Sequence, residues 1–143
     1  MKAVIPNNAH REDFKVHLID TSSYGIAFYV SYHRWIATAK ENFFVKKVPG
    51  FTELFTSKGI RLLILESHLK ISKEIKLHED IRVYITCSLL KKIKAHLNYV
   101  ITDKNGELIA EAENKIVFTD SSGSLSTIPE QVHKALQTIL IKK

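Results

Sequence analysis

The sequence predicts an α+β domain in which an antiparallel sheet carries one long helix, and three observations lead there. A turn-rich loop, Asp20 to Gly25, gives way to a helical pattern in which Tyr32, Trp35, Ile36, Ala39 and Phe43 recur at steps of three and four. Alternating apolar runs then fill residues 60 to 119, and turn signals join most of them as hairpins. The resulting order, one strand, one helix, then four strands, is an α+β plan.

Residues 1–12 carry little pattern and read as a loose tail. Phe14 to Ile19 alternates, with Phe14, Val16 and Leu18 on one face of a first strand. The helix that follows the loop should stop before Pro49-Gly50, a breaker beside a residue free in φ. A helical turn through FTELFTSK precedes Gly59. Ile60 to Ile71 is the second strand, its better apolar face being Leu63, Leu65, Leu69 and Ile71. Ile81, Val83, Ile85, Cys87 and Leu89 alternate. So do Ala95, Leu97, Tyr99 and Ile101 after a short basic connection, which makes a hairpin. Asn105-Gly106 is the strongest turn signal. It leads into a strand from Glu107 to Thr119 with Leu108, Ala110, Ala112, Ile116 and Phe118 on one face. A short amphipathic helix from Pro129 to about Ile141 closes the chain.

With 143 residues, 45% of them hydrophobic, residues 1–143 are expected to form one domain with its own core. The lone cysteine, Cys87, excludes an internal disulfide and reads as a buried reduced thiol. The start of the chain holds no apolar run of signal-peptide length, and no 18 apolar residues run together, so the expectation is a soluble, cytoplasmic protein without a membrane segment. The net charge of +6 favours anionic partners: coenzyme A phosphates, an acidic carrier protein, nucleic acid or an anionic membrane. The basic residues are scattered and no nucleic-acid motif supports them, so a nucleic-acid binder ranks last. The seven histidines form no H-x-x-x-H pair and join no carboxylate cluster at ligand spacing, so no metal and no cofactor are expected. G-x-S-x-G is also missing, which argues against a serine hydrolase elbow.

Chemistry is expected where the loop meets the helix. A helix N-terminus offers N–H groups without partners and roughly half a positive charge, which suits a carbonyl oxygen or an anion. The residues here, DTSSYGIAFYVSYHRWIATAKENFF, resemble the signature of hot-dog fold thioesterases of the 4-hydroxybenzoyl-CoA thioesterase type, D-x-D-x-x-G-I-V-x-Y-x-x-Y followed by a helix containing Trp. Asp20, Gly25, Ile26, Tyr29, Tyr32 and Trp35 match. The family's second aspartate, its catalytic carboxylate, falls on Ser22. Relatives that act on polyketide chains also lack it and carry asparagine there.

The resemblance implies a hot-dog fold, an antiparallel sheet wrapped around one central helix. It also implies hydrolysis of an acyl-CoA or acyl-carrier-protein thioester at a site between two subunits of a homodimer or homotetramer. Tyr29 stands where the family's oxyanion-binding N–H is found, Gly25 lets the loop come close, and Tyr32 opens the helix face toward substrate. Lys91, Lys92 and Lys94 match the tract that binds coenzyme A phosphates, with Ile93 interrupting it. On the residues alone, alternatives stay open. Asp20 could act through a water held by Ser22, the two lying about 6.5 Å apart if the loop is extended, or both could simply cap and brace. Glu41 is a poorer base, about 18 Å up the helix from Tyr29. His33 reads as a surface or ligand-contacting residue. The lysines equally serve to protect a hairpin edge. A hot-dog module that binds a thioester without cleaving it is the competing function.

Overall fold

One helix sets the architecture. In the computed structural model, which describes residues 1–141, α1 spans Tyr29–Lys47 and buries Tyr32, Trp35, Ile36, Ala39, Phe43 and Phe44, the expected stripe plus one aromatic. Phe43 and Phe44 are each 1% exposed, and burial of such a side chain stabilises the fold by about 2–3 kcal/mol. Val48 N–H bonds Phe44 O at 2.8 Å, and the helix ends there, ahead of Pro49-Gly50, as its breaker signal predicts. A short helix α2, Phe51–Thr56, follows, with Phe51 stacked on Phe44.

Beneath α1 lies an antiparallel sheet of β1 (His10–Lys15), β2 (Arg61–Ile71), β3 (Asp80–Leu90), β4 (Lys94–Asp103) and β5 (Leu108–Thr119), in the order β1-β3-β4-β5-β2. A two-residue strand β6, Leu125–Ser126, pairs with β5, and α3, Glu130–Thr138, closes the described chain. The inward rows of β3, β4 and β5 follow the expectation at Ile81, Val83, Ile85 and Cys87, at Ala95, Leu97, Tyr99 and Ile101, and at Leu108, Ala110, Ile116 and Phe118, all buried, with Ala112 partly buried; past Cys87 a register shift puts Leu90 rather than the expected Leu89 against the core. At the β4–β5 turn Gly106 sits at φ +83°, where a side chain would be strained, and its N–H bonds Asp103 O at 3.1 Å.

Three further local expectations are corrected. Residues 1–12 are not all loose: β1 begins at His10, Ala3 N–H bonds Gly106 O and Leu108 N–H bonds Met1 O. The alternation was hidden because the strand turns polar groups inward. Glu12, 7% exposed, accepts Asn42 Nδ2 at 3.0 Å, Lys46 Nζ at 2.7 Å and His10 Nε2 at 2.6 Å. The first strand also stops at Lys15 rather than Ile19; Leu18–Asp20 is a 3₁₀ turn that leaves Leu18 and Ile19 exposed. On β2 a bulge between Ile64 and Glu66 shifts the register by one. Leu62 and Leu69 therefore pack on the core, while Leu63 and Leu65 point away.

These elements orient α1. Its start is stitched to the segment before β3 by Ala27 N–H to Ile75 O (2.8 Å) and Leu77 N–H to Gly25 O (3.0 Å). Near its other end Asn42 and Lys46 hold Glu12, which lies opposite Val83. The helix thus runs in the direction of β3. The β3–β4 hairpin sits at the far end of the sheet, ten residues along β3 from Asp80, or about 33 Å.

Candidate functional site

The loop from Asp20 to Phe28 is held as a rigid bracket. Asp20 is buried, and both carboxylate oxygens are occupied: Oδ2 accepts His17 N–H at 2.9 Å and Oδ1 accepts Arg34 Nη2 at 3.0 Å. Its carbonyl accepts Ser31 Oγ–H at 2.8 Å and Phe28 N–H at 3.4 Å, and Arg34 also bonds Ser31 Oγ at 3.0 Å. Asp20 therefore ties the loop to the first turns of α1. It lies in the 3₁₀ turn, not in the extended stretch expected, and its geometry is that of a brace.

Ser22 belongs to the next turn. Its N–H bonds Ile26 O and its carbonyl accepts Gly25 N–H, both at 2.9 Å, while Oγ accepts Tyr24 N–H at 3.3 Å. The hydroxyl proton meets no acceptor among the described residues. Gly25 has φ +73°, a conformation that L side chains rarely adopt, and this lets the chain reverse into α1.

Phe28 is extended (φ −98°, ψ 158°) and contributes no side-chain cap. Ser31 N–H turns back onto Phe28 O at 2.9 Å, whereas Tyr29 and Val30 N–H meet no acceptor among the described residues. With no acidic side chain in this first turn, two backbone donors and the positive helix end stand open. Tyr29 is the first helical residue; its ring is exposed and meets His33 edge-on at 6.4 Å between centroids. Tyr32, expected at the substrate face, is instead 1% exposed and packs edge-on to Trp35 at 5.5 Å. Burial, reinforced by Glu74 and Glu79, pushes its hydroxyl up to about 12, so it stays protonated at neutral pH.

Around the open donors lies an apolar apron, Leu18, Ile19, Tyr24, Phe28, Tyr29 and Val30, all exposed, Ile19 by 75% and Tyr24 by 87%. The alternating-run reading missed it, although the clustering of large apolar residues inside a turn-rich loop was the available signal. Edge strand β2 exposes Leu63, Ile64, Leu65 and Ile71 as well.

Other sites are placed elsewhere. Lys91, Lys92 and Lys94 sit at the β3–β4 hairpin, at the opposite end of β3 from the segment, Ile75 to Leu77, to which the start of α1 is bonded. Glu41 lies beside α2, lining a cavity of about 330 Å³ with Val45, Phe51 and Phe55. Burial pushes the Cys87 thiol up to about 11, and its S–H reaches Leu89 O at 3.2 Å, an unreactive setting. No group of three His, Cys, Asp or Glu suited to a metal ion occurs among the described residues, and no helix there is long and apolar enough to cross a membrane.

Compared with family models, residues 13–136 match the thioesterase-like superfamily, and the chain belongs to it. Solved structures agree in fold. The Dynemicin thioesterase superposes with TM-score 0.87 at 15% identity, covering 94% of this chain and 99% of its own. A gentisyl-coenzyme A thioesterase gives 0.78 at 23% identity, over 89% of this chain and 99% of that one. A mutant 4-hydroxybenzoyl-CoA thioesterase complexed with 4-hydroxybenzoyl-CoA gives 0.79 at 16%, over 92% and 99%. At such identities the likeness establishes the α+β hot-dog fold. No curated protein matches the chain by sequence.

Proposed function

We propose that this chain hydrolyses acyl thioesters, with the start of α1 as its electrophilic centre. The observation that carries the reading is the pair of open N–H donors at Tyr29 and Val30 in a member of the thioesterase-like superfamily. As water adds to the thioester carbon its proton passes to solvent and the carbonyl oxygen gains negative charge; collapse of that oxyanion breaks the C–S bond, and the departing thiolate takes up a proton from solvent. A fixed N–H in a dry site stabilises that oxyanion by about 3–4 kcal/mol. Gly25 brings the loop near the scissile carbon, and the Ser22 hydroxyl, its proton free, holds the attacking water. Asp20 positions the loop. Ser22 cannot deprotonate the water, so catalysis leans on oxyanion stabilisation and orientation.

The apolar apron and the exposed β2 edge support a site completed by a second subunit. Antiparallel pairing of β2 with its twofold copy would cover both surfaces and exchange the sheet ends, bringing the partner's basic hairpin toward the open start of α1. The anionic carrier group of the substrate, coenzyme A or an acyl carrier protein, would then meet Lys91, Lys92 and Lys94.

A second reading has its own support. Because Ser22 replaces a carboxylate and both Asp20 oxygens are engaged, the chain could hold a thioester without cleaving it. One experiment separates the two: thiol release from short, long and aromatic acyl-CoA and acyl-carrier thioesters, beside binding of a non-hydrolysable acyl analogue. Release above the protein-free rate supports hydrolysis; binding without release supports the module.

A further inference from the structure

Two polar side chains on the inner side of the sheet lack partners. Tyr99 is 1% exposed, and its hydroxyl meets no hydrogen-bond partner among the described residues. Burial holds that phenol protonated, well above its usual range. Lys40, half-buried on α1, makes no ion pair and no side-chain hydrogen bond among the described residues, and burial pulls its ammonium below the usual lysine value. Groups left unpaired in this way cost stability until something else supplies the missing partner.

The fold sets both beside one trough. α1 packs chiefly across β1 and β3, which leaves the inner face of β4, β5 and β2 less covered. There Tyr99 stands opposite Ala112, and Ala112 opposite Leu69; two residues along β5, Ala110 lies between Ile101 and Ile71. The two alanines make a floor lower than either side, and it opens at the β2 edge, where Leu69 is only partly buried and Ile71 is 43% exposed. Asn42 and Lys46, which hold Glu12, mark the flank of α1 turned to β1. Lys40 falls on the other flank with Ile36 and Phe44, and Phe44 stacks on Phe51 of the helix that leads into β2.

We infer that this trough receives the acyl group, and that Lys40 and Tyr99 select one carrying a carboxylate at its far end. This rests on the hydrolase reading and adds its substrate class. An ammonium only donates, and the phenol has its proton unengaged, so the group that satisfies both is an anionic acceptor. Lys40 lies about 16 Å along the helix axis from Tyr29, and its side chain leans back toward the open N–H donors. A dicarboxylic acid of medium length, thioesterified at one end, fits that interval.

The test compares coenzyme A thioesters of adipate, suberate and sebacate with those of hexanoate, octanoate and decanoate on the full chain. Its readout is the ratio of kcat/KM for each diacid over the monoacid of equal length. Wild type should favour the diacid by about tenfold or more at the best length. Tyr99→Phe and Lys40→Met should each bring that ratio close to one through a higher KM for the diacid, whereas Lys40→Arg should keep it. Because Tyr99→Phe and Lys40→Met each remove an orphaned polar group, Tm should hold or rise in both. The inference is overturned if wild type cleaves the two series equally, or if both variants slow the two series alike. Should no thioester be cleaved, the hydrolase reading fails on its own. Calorimetric binding of free sebacate in preference to decanoate, lost in Lys40→Met, then still upholds the trough, and equal binding of the two acids overturns it.

Discussion

Asp20→Asn separates a braced loop from a catalytic base. The substitution keeps the side chain's shape but removes its charge and turns one acceptor into a donor. One of two contacts must fail: the bond from His17 N–H at 2.9 Å or the ion pair with Arg34 at 3.0 Å. Arg34 is about half exposed and recovers hydration, so its side of the loss is small. The larger cost is a part-buried donor left facing an amide, about 1–2 kcal/mol. For a chain of this size that lowers Tm by roughly 3–6 °C. If Asp20 only braces, kcat should fall in step with the loosened loop, by about tenfold or less, and the pH dependence of kcat/KM should keep its shape. Arg34→Met should then reproduce both effects, because it releases the same bracket from the other side. Differential scanning calorimetry and thiol release on the same preparations give the two numbers. Loss of more than about a thousandfold in kcat at unchanged Tm, together with loss of the acidic limb of the pH profile, would refute the bracing role and make Asp20 the base.

Other consequences are more local. Ser22→Asp should raise kcat by about 10²-fold or more with little change in affinity for the acyl analogue, since a carboxylate near the open helix end can take the water's proton; an unchanged kcat places the water elsewhere. Burial alone would raise the Glu12 carboxyl, but bonds from Lys46, His10 and Asn42 outweigh it and hold the group below the usual carboxylate range. A depressed folded pKa gives stability that is present above the unfolded value and is lost as pH falls through the folded one. Glu12→Gln should therefore cost about 2 kcal/mol at neutral pH, with the gap in Tm narrowing below about pH 4; a gap constant down to pH 3 would contradict this. On the β2 edge, Leu63→Lys with Leu65→Lys should raise the dimer dissociation constant at least about tenfold in sedimentation. A wild type that is monomeric at micromolar concentration would count against the composite site.

The fold was legible wherever burial and side-chain period coincided. The rows of β3 up to Cys87 and of β4 up to Ile101 alternate because each faces one apolar helix, and α1 shows its stripe for the same reason. Where the physics is less local, the sequence misleads. Glu12 is an inward charge stabilised by partners 30 and 34 residues away, so β1 reads as a tail. One extra residue at the β2 bulge moves Leu63 and Leu65 to the other face, a shift that no periodicity carries. At the site, the loop, its glycine and the helix start could be placed from the residues, but the occupation of both Asp20 oxygens could not, because Arg34 looks like any helix-surface arginine. Tyr32 shows the reverse error: a motif position assigned to substrate is spent on packing against Trp35.

The central claim is that a backbone N–H at the start of α1 stabilises the oxyanion, and one substitution addresses that hydrogen alone. Tyr29 is the first helical residue, where proline's fixed φ is welcome, and Phe28 before it is already extended, as a residue preceding proline must be. Tyr29→Pro therefore deletes the donor without opposing the helix, and Tyr29→Ala controls for the exposed ring. The measurement is kcat for thiol release by the two variants, with circular dichroism confirming equal helix content. A fall of about 10²–10³-fold in the proline variant, against a small change in the alanine variant, is the predicted result. Equal rates in the two variants would contradict it.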